Sequence, residues 1–307
     1  MATQYGRVAS LVVADEASGL DLSSLHVKFE VKQWSLQTPG SCSVRVYNVA
    51  SNTAKKIQTE FTKLILGAGY KDGGATTIFA GTIVQVRGGR ENPVDTYLDI
   101  TAADGDEAHN FSVVNTSLAA GRSYADRVNA LVQAMGAQGV TPGYIAPLPD
   151  GTLPRGKVMF GMARDHLRDL SFATDMDWSV QQGQFQLIPK AGYLPGQAVV
   201  LTPATGLIGL PEVTADGIKV RCLLNPLVKA GGLIQLDSAT LQQAQLDISY
   251  QGSAQNAFLP QVLDGVGSYR VLVAEHSGDT RGNTWYTDII CLAPGQVTQG
   301  LVNRGYA

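Results

Sequence analysis

The densest run of chemically capable side chains is Glu275-His276-Ser277-Gly278-Asp279, which puts an acid, an imidazole, a hydroxyl and a second acid in one short stretch. Acyl transfer by such groups needs them to converge from separate elements, with the serine on a strained turn. Consecutive strand residues point to opposite faces, so this run disperses its groups. His276 shares a face with Leu272 and Ala274, and the run reads as a strand entering a turn. Asp104-Gly105-Asp106-Glu107, with His109, offers oxygens to a cation. A calcium loop needs ligands at alternating positions and a closing glutamate; that spacing is missing, and a strand-ending turn is the reading. Asp175 and Asp177 could pair for acid–base work, but they fall in a helix-to-strand turn before Trp178. His166 lies on a helical stretch one turn from Met162 and Leu170, as a border histidine does. His26 and His109 lack partners at metal spacing. Gly67-Ala68-Gly69 and Gly88-Gly89 open no helix and precede no Gly-Lys-Ser/Thr, so neither is a phosphate loop. The sequence therefore assigns no catalytic, cofactor-binding or metal-ligating residue, expects no cofactor, and does not read as an enzyme.

The elements carrying these residues are mainly strands. Tyr269, Val271 and Val273 alternate with Leu272 and Ala274, and Trp285, Thr287, Ile289 and Cys291 alternate in a return strand. Ser277, Gly278, Asp279, Gly282 and Asn283 supply the turn between them. Apolar residues on both faces predict that both are covered, the inner by a core and the outer by a neighbouring subunit. Trp285 is expected in the core of this second β block. Residues 1–106 form a first β block, in which Leu25, Val27, Phe29 and Val31 alternate with polar residues. The apolar phase then shifts to Trp34 and Leu36, which suggests a bulge. A short helix is expected from Asn52 or Thr53 to Phe61.

Residues 107–190 differ. Ser123 and Asp126 form a capping-box variant, and Tyr124, Val128, Leu131, Val132 and Met135 share a helical face. Gly136 stands where a left-handed glycine would stop that helix. A Pro- and Gly-rich loop from Thr141 to Gly156 follows, then a helix from Gly161 to Thr174 and a hairpin from Trp178 to Pro189 turning near Gln182-Gly183. Residues 191–307 return to strands at Ala198–Thr202, Gly217–Leu224, Leu233–Leu236 and the closing hairpin. A polar loop over residues 237–267 and a C-terminal tail complete this block; the loop is the best candidate for contact with a partner.

Composition narrows the class. Charged residues are only 16% of the chain, against about 25% in ordinary domains, which suggests surface buried in an assembly. A net charge of -3 argues against a dedicated DNA-binding face. Cys42, Cys222 and Cys291 lie far apart in apolar strand patterns and read as buried thiols of a protein folded in a reducing cytoplasm. No signal peptide and no apolar stretch near the ~18 residues of a membrane helix is visible, so no membrane insertion is expected.

Several phrases in order resemble the baseplate hub proteins of contractile-tailed bacteriophages. They are Val44-Arg45-Val46-Tyr47-Asn48, Leu66-Gly67-Ala68-Gly69-Tyr70, Ile78-Phe79-Ala80-Gly81-Thr82-Ile83, Ala103-Asp104-Gly105-Asp106, Thr205-Gly206-Leu207-Ile208-Gly209-Leu210-Pro211-Glu212, Gly217-Ile218-Lys219-Val220, Leu223-Leu224-Asn225-Pro226 and the run from Glu275 to Tyr286. The resemblance implies an α+β, mostly β fold: two tube-like antiparallel β-barrel domains (1–106 and 191–307) joined by a smaller α/β portion (107–190). It implies a homotrimer in the virion tail baseplate, assembled in the host bacterial cytoplasm, that adapts a sixfold tail tube or tube-adaptor protein to a threefold spike protein. Tape-measure and wedge proteins are further partners it admits, and DNA passes through the lumen without specific binding. The alternatives are a tail-tube or other contractile-injection component, and, on weaker grounds, a cell-wall-acting enzyme.

Overall fold

A computed structural model describes residues 4–15, 18–214, 217–237, 242–243 and 266–293. The expected α+β, mostly-β class holds. The strands of the first block are β1 (Arg7–Ala14), β2 (Gly19–Asp21), β3 (Val27–Trp34), β4 (Ser41–Tyr47), β5 (Lys63–Tyr70), β6 (Gly74–Arg90) and β7 (Thr96–Ala103), with helix α1 (Ser51–Thr59) between β4 and β5. The middle of the chain holds α2 (Asp106–Phe111), β8 (Val113–Leu118), α3 (Tyr124–Gly136), β9 (Thr141–Ile145), β10 (Lys157–Met162), α4 (Ala163–Thr174), β11 (Met176–Gln181) and β12 (Gln184–Pro189). The last block holds β13 (Val199–Val200), β14 (Leu207–Thr214), β15 (Gly217–Leu223), β16 (Leu233–Asp237), β17 (Gln242–Gln243), β18 (Val266–Asp279) and β19 (Trp285–Leu292).

The two β blocks repeat one topology. In the first, neighbouring strands run β3-β4-β7-β6-β5, all antiparallel. In the second they run β14-β15-β19-β18-β16, again all antiparallel. Each five-strand unit is a hairpin, a strand returning beside it, that strand's own hairpin partner, and a further strand beyond it. The correspondence extends to irregularities. β6 carries an extra residue, Val84, between its pairs Ile83↔Ala102 and Gln85↔Thr101. β18 carries an extra residue, Leu272, between Val271↔Cys291 and Val273↔Ile290. Both hairpins then close seven residues on, by Glu91 N–H to Asp95 O (3.1 Å) and by Asp279 N–H to Thr284 O (2.8 Å). Outside this unit the blocks differ: β1 extends the first antiparallel to β5, whereas β13 extends the second parallel to β16.

The repeated units are sewn together by an antiparallel ladder between β18 and β3, from Val273↔Trp34 to Asp279↔Lys28. One continuous sheet of 14 strands results among the described residues. Each unit curls round its own core. Leu11 and Val13 of β1 meet Val27, Phe29 and Val31 of β3 in one buried cluster, although β1 and β3 stand far apart along the sheet. Tyr269, Val271, Ala274, Ile289 and Cys291 pack with Val213, Ile218 and Val220 in a second. The helices of the middle portion pack on β9, β11 and β12 in a third, with Leu131, Met135, Leu167 and Leu170 facing Trp178 and Phe185.

Several expectations are corrected. The phase shift at Trp34 is not a bulge in β3, whose registers to β4 and β18 run without a break. Trp34 and Leu36 instead join Leu272, Val273 and Leu292 in a small cluster at the junction. The bulge lies across the ladder, at Leu272, and it breaks the alternation expected of Tyr269–Ala274: Tyr269, Val271 and Ala274 share one core, while Leu272 and Val273 face the junction. The outer face of the closing hairpin is thus covered by the same chain. Trp285 belongs to the first core, with Leu224 beside it, and not to the second.

In the middle portion, Ser123 and Asp126 form the expected capping box, with Ser123 N–H donating to Asp126 Oδ2 at 2.8 Å and Asp126 N–H to Ser123 Oγ at 3.2 Å. Gly136 is still helical; the chain continues in tight turns, and the left-handed glycine after the helix is Gly139, at φ +80°. Part of the expected loop after Thr141 is strand β9, drawn in as a parallel partner of β12. The hairpin turn at Gln182-Gly183 is as expected, with φ of 53° and 72°, the mirror-image geometry that fits strand twist. The polar segment 237–267 and the C-terminal tail fall almost wholly outside the described residues.

Candidate functional site

None of the runs with catalytic residue types assembles a reaction centre among the described residues. His276 is 1% exposed on β18, and its Nδ1 lies 2.9 Å from Thr287 Oγ1. Burial pushes its pKa down to about 4, so the ring is neutral and structural. Glu275 faces Lys32 across the ladder at 3.5 Å, away from that ring. Asp104 is buried and accepts the backbone N–H groups of Gln182 and Gly183 (the latter at 2.9 Å), so it fastens the end of the first block to the β11–β12 turn. Burial pushes its carboxyl up to about 6, with those two donors pulling the other way. Asp106 and Glu107 lie in the first turn of α2, a short helix where the sequence pattern suggests a turn. His109 stacks on Trp178 with ring centroids 6.2 Å apart, and His166 Nε2 lies 3.3 Å from Phe160 O. Cys42, Cys222 and Cys291 are buried free thiols, held above the usual thiol range by burial.

The paired-carboxylate reading of Asp175 and Asp177 does not fit the geometry. Asp175 is an exposed left-handed helix cap, 3.1 Å from Lys190 Nζ. Asp177 is turned inward on β11, where burial raises its pKa and Arg270 opposes the rise. Arg270, on β18, is the hub of a buried cluster. It donates to Asp177 Oδ2 at 3.1 Å, to Pro189 O at 3.3 Å, to Lys190 O, and to Ser35 Oγ at 3.3 Å. One side chain thereby ties the second block, the middle portion and the first block. Sequence reasoning missed it because its partners lie 80 to 235 residues away along the chain.

A second long-range cluster flanks the β18–β3 ladder. His26 Nε2 lies 2.7 Å from Asp279 Oδ1 and its ring stacks on Tyr47 at 4.5 Å. Lys28 Nζ is 3.8 Å from Asp279 Oδ2 and donates to Tyr47 Oη at 2.9 Å. Burial alone would raise Asp279, but the N–H groups of Arg281 and Gly282 and the His26 ring outweigh it and hold the carboxyl low. Among the described residues no group of three or more His, Cys, Asp or Glu side chains could hold a metal ion, and no helix is long and apolar enough to cross a membrane. What the described residues do assemble is a junction: two like units joined by a sheet ladder, charge pairs and buried ties.

The model of the baseplate hub gp41 family matches residues 9–242. The chain belongs to the baseplate hub gp41 family. The matched span covers the first unit, the middle portion and the second unit through β17. This hub-family chain is similar in fold to a tail protein from Neisseria meningitidis, with a TM-score of 0.60 at 9% identity over 96% of this chain and 98% of that one. It is similar to the 43 kDa tail protein of prophage MuSo2 from Shewanella oneidensis, with a TM-score of 0.57 at 7% identity over 93% and 97%. An Escherichia coli component of the type VI secretion system, itself described as similar to T4 bacteriophage tail proteins gp27 and gp5, gives 0.51 at 10% identity over 87% and 73%. No curated protein sequence matches. The membership makes the chain a structural baseplate or tail component.

Proposed function

We propose that this chain is a non-enzymatic, ring-forming adaptor of the tail baseplate. Three copies, each with two β units, present six similar modules to a sixfold tail tube or tube-adaptor protein on one side. The same ring presents a threefold surface to a spike protein on the other. The observation that carries this reading is the repeat: β3-β4-β7-β6-β5 and β14-β15-β19-β18-β16 share one order and one bulge position, and they stand side by side in a single sheet. In this reading the chain divides into 1–106, 107–190 and 191–307, with the middle portion as a connector outside the ring wall; separate buried clusters in the three parts support the division, although Leu224 and Trp285 pack into the first. Head-to-tail contacts that repeat around an axis close into rings, and obligate ones commonly bury about 2,000 Å² or more. The ring encloses a channel for DNA, and the weak net charge of -3 suits passage without grip. A tail-tube subunit is the second reading; one unit per chain suffices for that role, and the second unit here speaks against it.

Light scattering and native mass spectrometry of the purified chain, alone and with a spike protein, test the reading. A trimer is expected. A chain that stays monomeric under both conditions overturns it, and sixfold rings or long tubes would favour the tube reading.

A further inference from the structure

Resting on that ring reading, we infer that neighbouring copies join through a β-ladder between the C-terminal half of β6 in one chain and β14 in the next. The occupant is thus a second copy of this chain. The inference comes from the repeat itself. In the second unit, the C-terminal half of β18 pairs with β19 on one side and, from Val273 to Asp279, with β3 of the first unit on the other. β6 occupies the same place in the first unit. It pairs with β5 only up to Thr82, and Ile83 N–H still reaches Thr62 O at 2.7 Å. From Gln85 to Arg90 its pairing among the described residues is with β7 alone. The half-strand that β3 covers in one unit is, among the described residues, uncovered in the other.

Burial follows the same contrast. Leu272, the extra residue of the β18 bulge, is 0% exposed because the first unit packs on it; Val84, its counterpart in β6, is 58% exposed. Gln85, Arg87, Gly88 and Arg90 are exposed as well, whereas His276 and Gly278 on β18 are buried. An open strand edge is a template for pairing, and the strand that fits it is fixed by the repeat. β3 corresponds to β14, since Val31↔Cys42↔Ala102 in the first unit matches Val213↔Ile218↔Cys291 in the second. Among the described residues the outer edge of β14 holds the two-residue parallel contact of Gln242–Gln243 at Glu212 and Val213. A longer antiparallel ladder displaces that contact, antiparallel pairing being the more stable per residue.

Transferring the β18–β3 register gives the interchain one: Arg87 opposite Thr214, Gly88 opposite Val213, Gly89 opposite Glu212. Within the chain, Lys32 of β3 lies between Glu30 (2.7 Å) and Glu275 of β18 (3.5 Å). The charges are compatible with this register: Arg87, 66% exposed and 3.4 Å from Asp99 of its own chain, stands where Glu275 does, neutral Thr214 where Lys32 does, and Glu212 keeps the charge of Glu30. Between chains, Arg87 and Glu212 are on the same face and diagonal to each other. Diagonal neighbours stand within reach of long side chains.

The test is a cysteine pair, Arg87→Cys with Thr214→Cys in one chain, oxidised and run on a non-reducing gel; the native thiols are buried. Covalent dimers and trimers are expected, absent from either single variant. Lys32→Cys with Glu275→Cys, the corresponding pair inside the chain, is the control for geometry. A trimer in solution without cross-links, while the control closes, overturns the ladder and leaves the ring standing; a monomer overturns both. Where neither cysteine pair closes, charge exchange decides: Arg87→Glu or Glu212→Arg alone should lower the trimer fraction, and the double exchange should restore it. Single exchanges that leave the trimer fraction unchanged overturn the ladder.

Discussion

Arg270 Nη2 and Asp177 Oδ2 lie 3.1 Å apart, with side chains 6% and 11% exposed, where the second β block meets the middle portion. A buried pair of this kind fixes geometry more than it adds net stability, because desolvation offsets much of the attraction. Removing one member is another matter, since it strands the other charge. Asp177→Ala should lower stability by about 3–5 kcal/mol. Asp177→Leu with Arg270→Met should fall closer to the parent in thermal melts. Equal losses in the single and double variants would show that the shape of the site matters more than its charge.

Trp285 stands edge-on to Phe29, with centroids 5.5 Å apart and planes at 76°. Either residue to Ala should cost about 3–5 kcal/mol. The loss should fall on the first core, although Trp285 begins a strand of the second unit. A double-mutant cycle should return a coupling of about 0.5–1.5 kcal/mol. Additive losses would place the two rings in independent environments.

Gly278 sits where a Cβ would run into the Phe29 ring and come within 2.9 Å of Trp285 Cε3. Gly278→Ala should cost about 1–3 kcal/mol by overpacking and loosen the β18–β3 ladder. Hydrogen exchange of the Phe29 and His276 amides, whose register places them in this ladder, should rise relative to those of α3. Unchanged protection would mean the rings yield without moving the strands.

His276 and Asp104 set opposite pH slopes. The folded His276 pKa, about 4, lies below its ordinary 6.5. The unfolded chain therefore binds the extra proton between those values, and the stability this group contributes is lost as pH falls from about 6.5 to 4. The full difference is about 3 kcal/mol. Asp104, raised to about 6 from 3.8, is protonated in the folded chain over the intermediate range. Its contribution is greatest below pH 3.8 and is lost as pH rises through about 6. Melts of His276→Gln against the parent at each pH should isolate the first slope, and those of Asp104→Asn the second. A parallel pair of profiles in either comparison would remove that group from the pH dependence.

Local patterns disclosed much of the scaffold. The Ser123–Asp126 box and the i, i+4 spacing of Tyr124 and Val128 mark α3, and Gln182-Gly183 marks its hairpin turn, because these signals act over a few residues. β14 escaped because Gly209 and Pro211 interrupt its alternation, as bulged edge strands allow. The functional surfaces were less legible. His26 with Asp279, Ser35 with Arg270 and Trp285 with Phe29 are each more than 200 residues apart in sequence.

Composition and short-range periodicity were enough to read a β-rich chain in two similar blocks around a helical middle, with buried thiols. The three-dimensional arrangement was needed to show that Trp34 and Leu36 turn outward to cover Leu272, that Trp285 crosses into the first core, and that β3 fills the edge of β18 while the matching edge of β6 has no partner among the described residues. Those outcomes depend on which strand lies beside which, a choice made by the whole sheet and invisible to any local window.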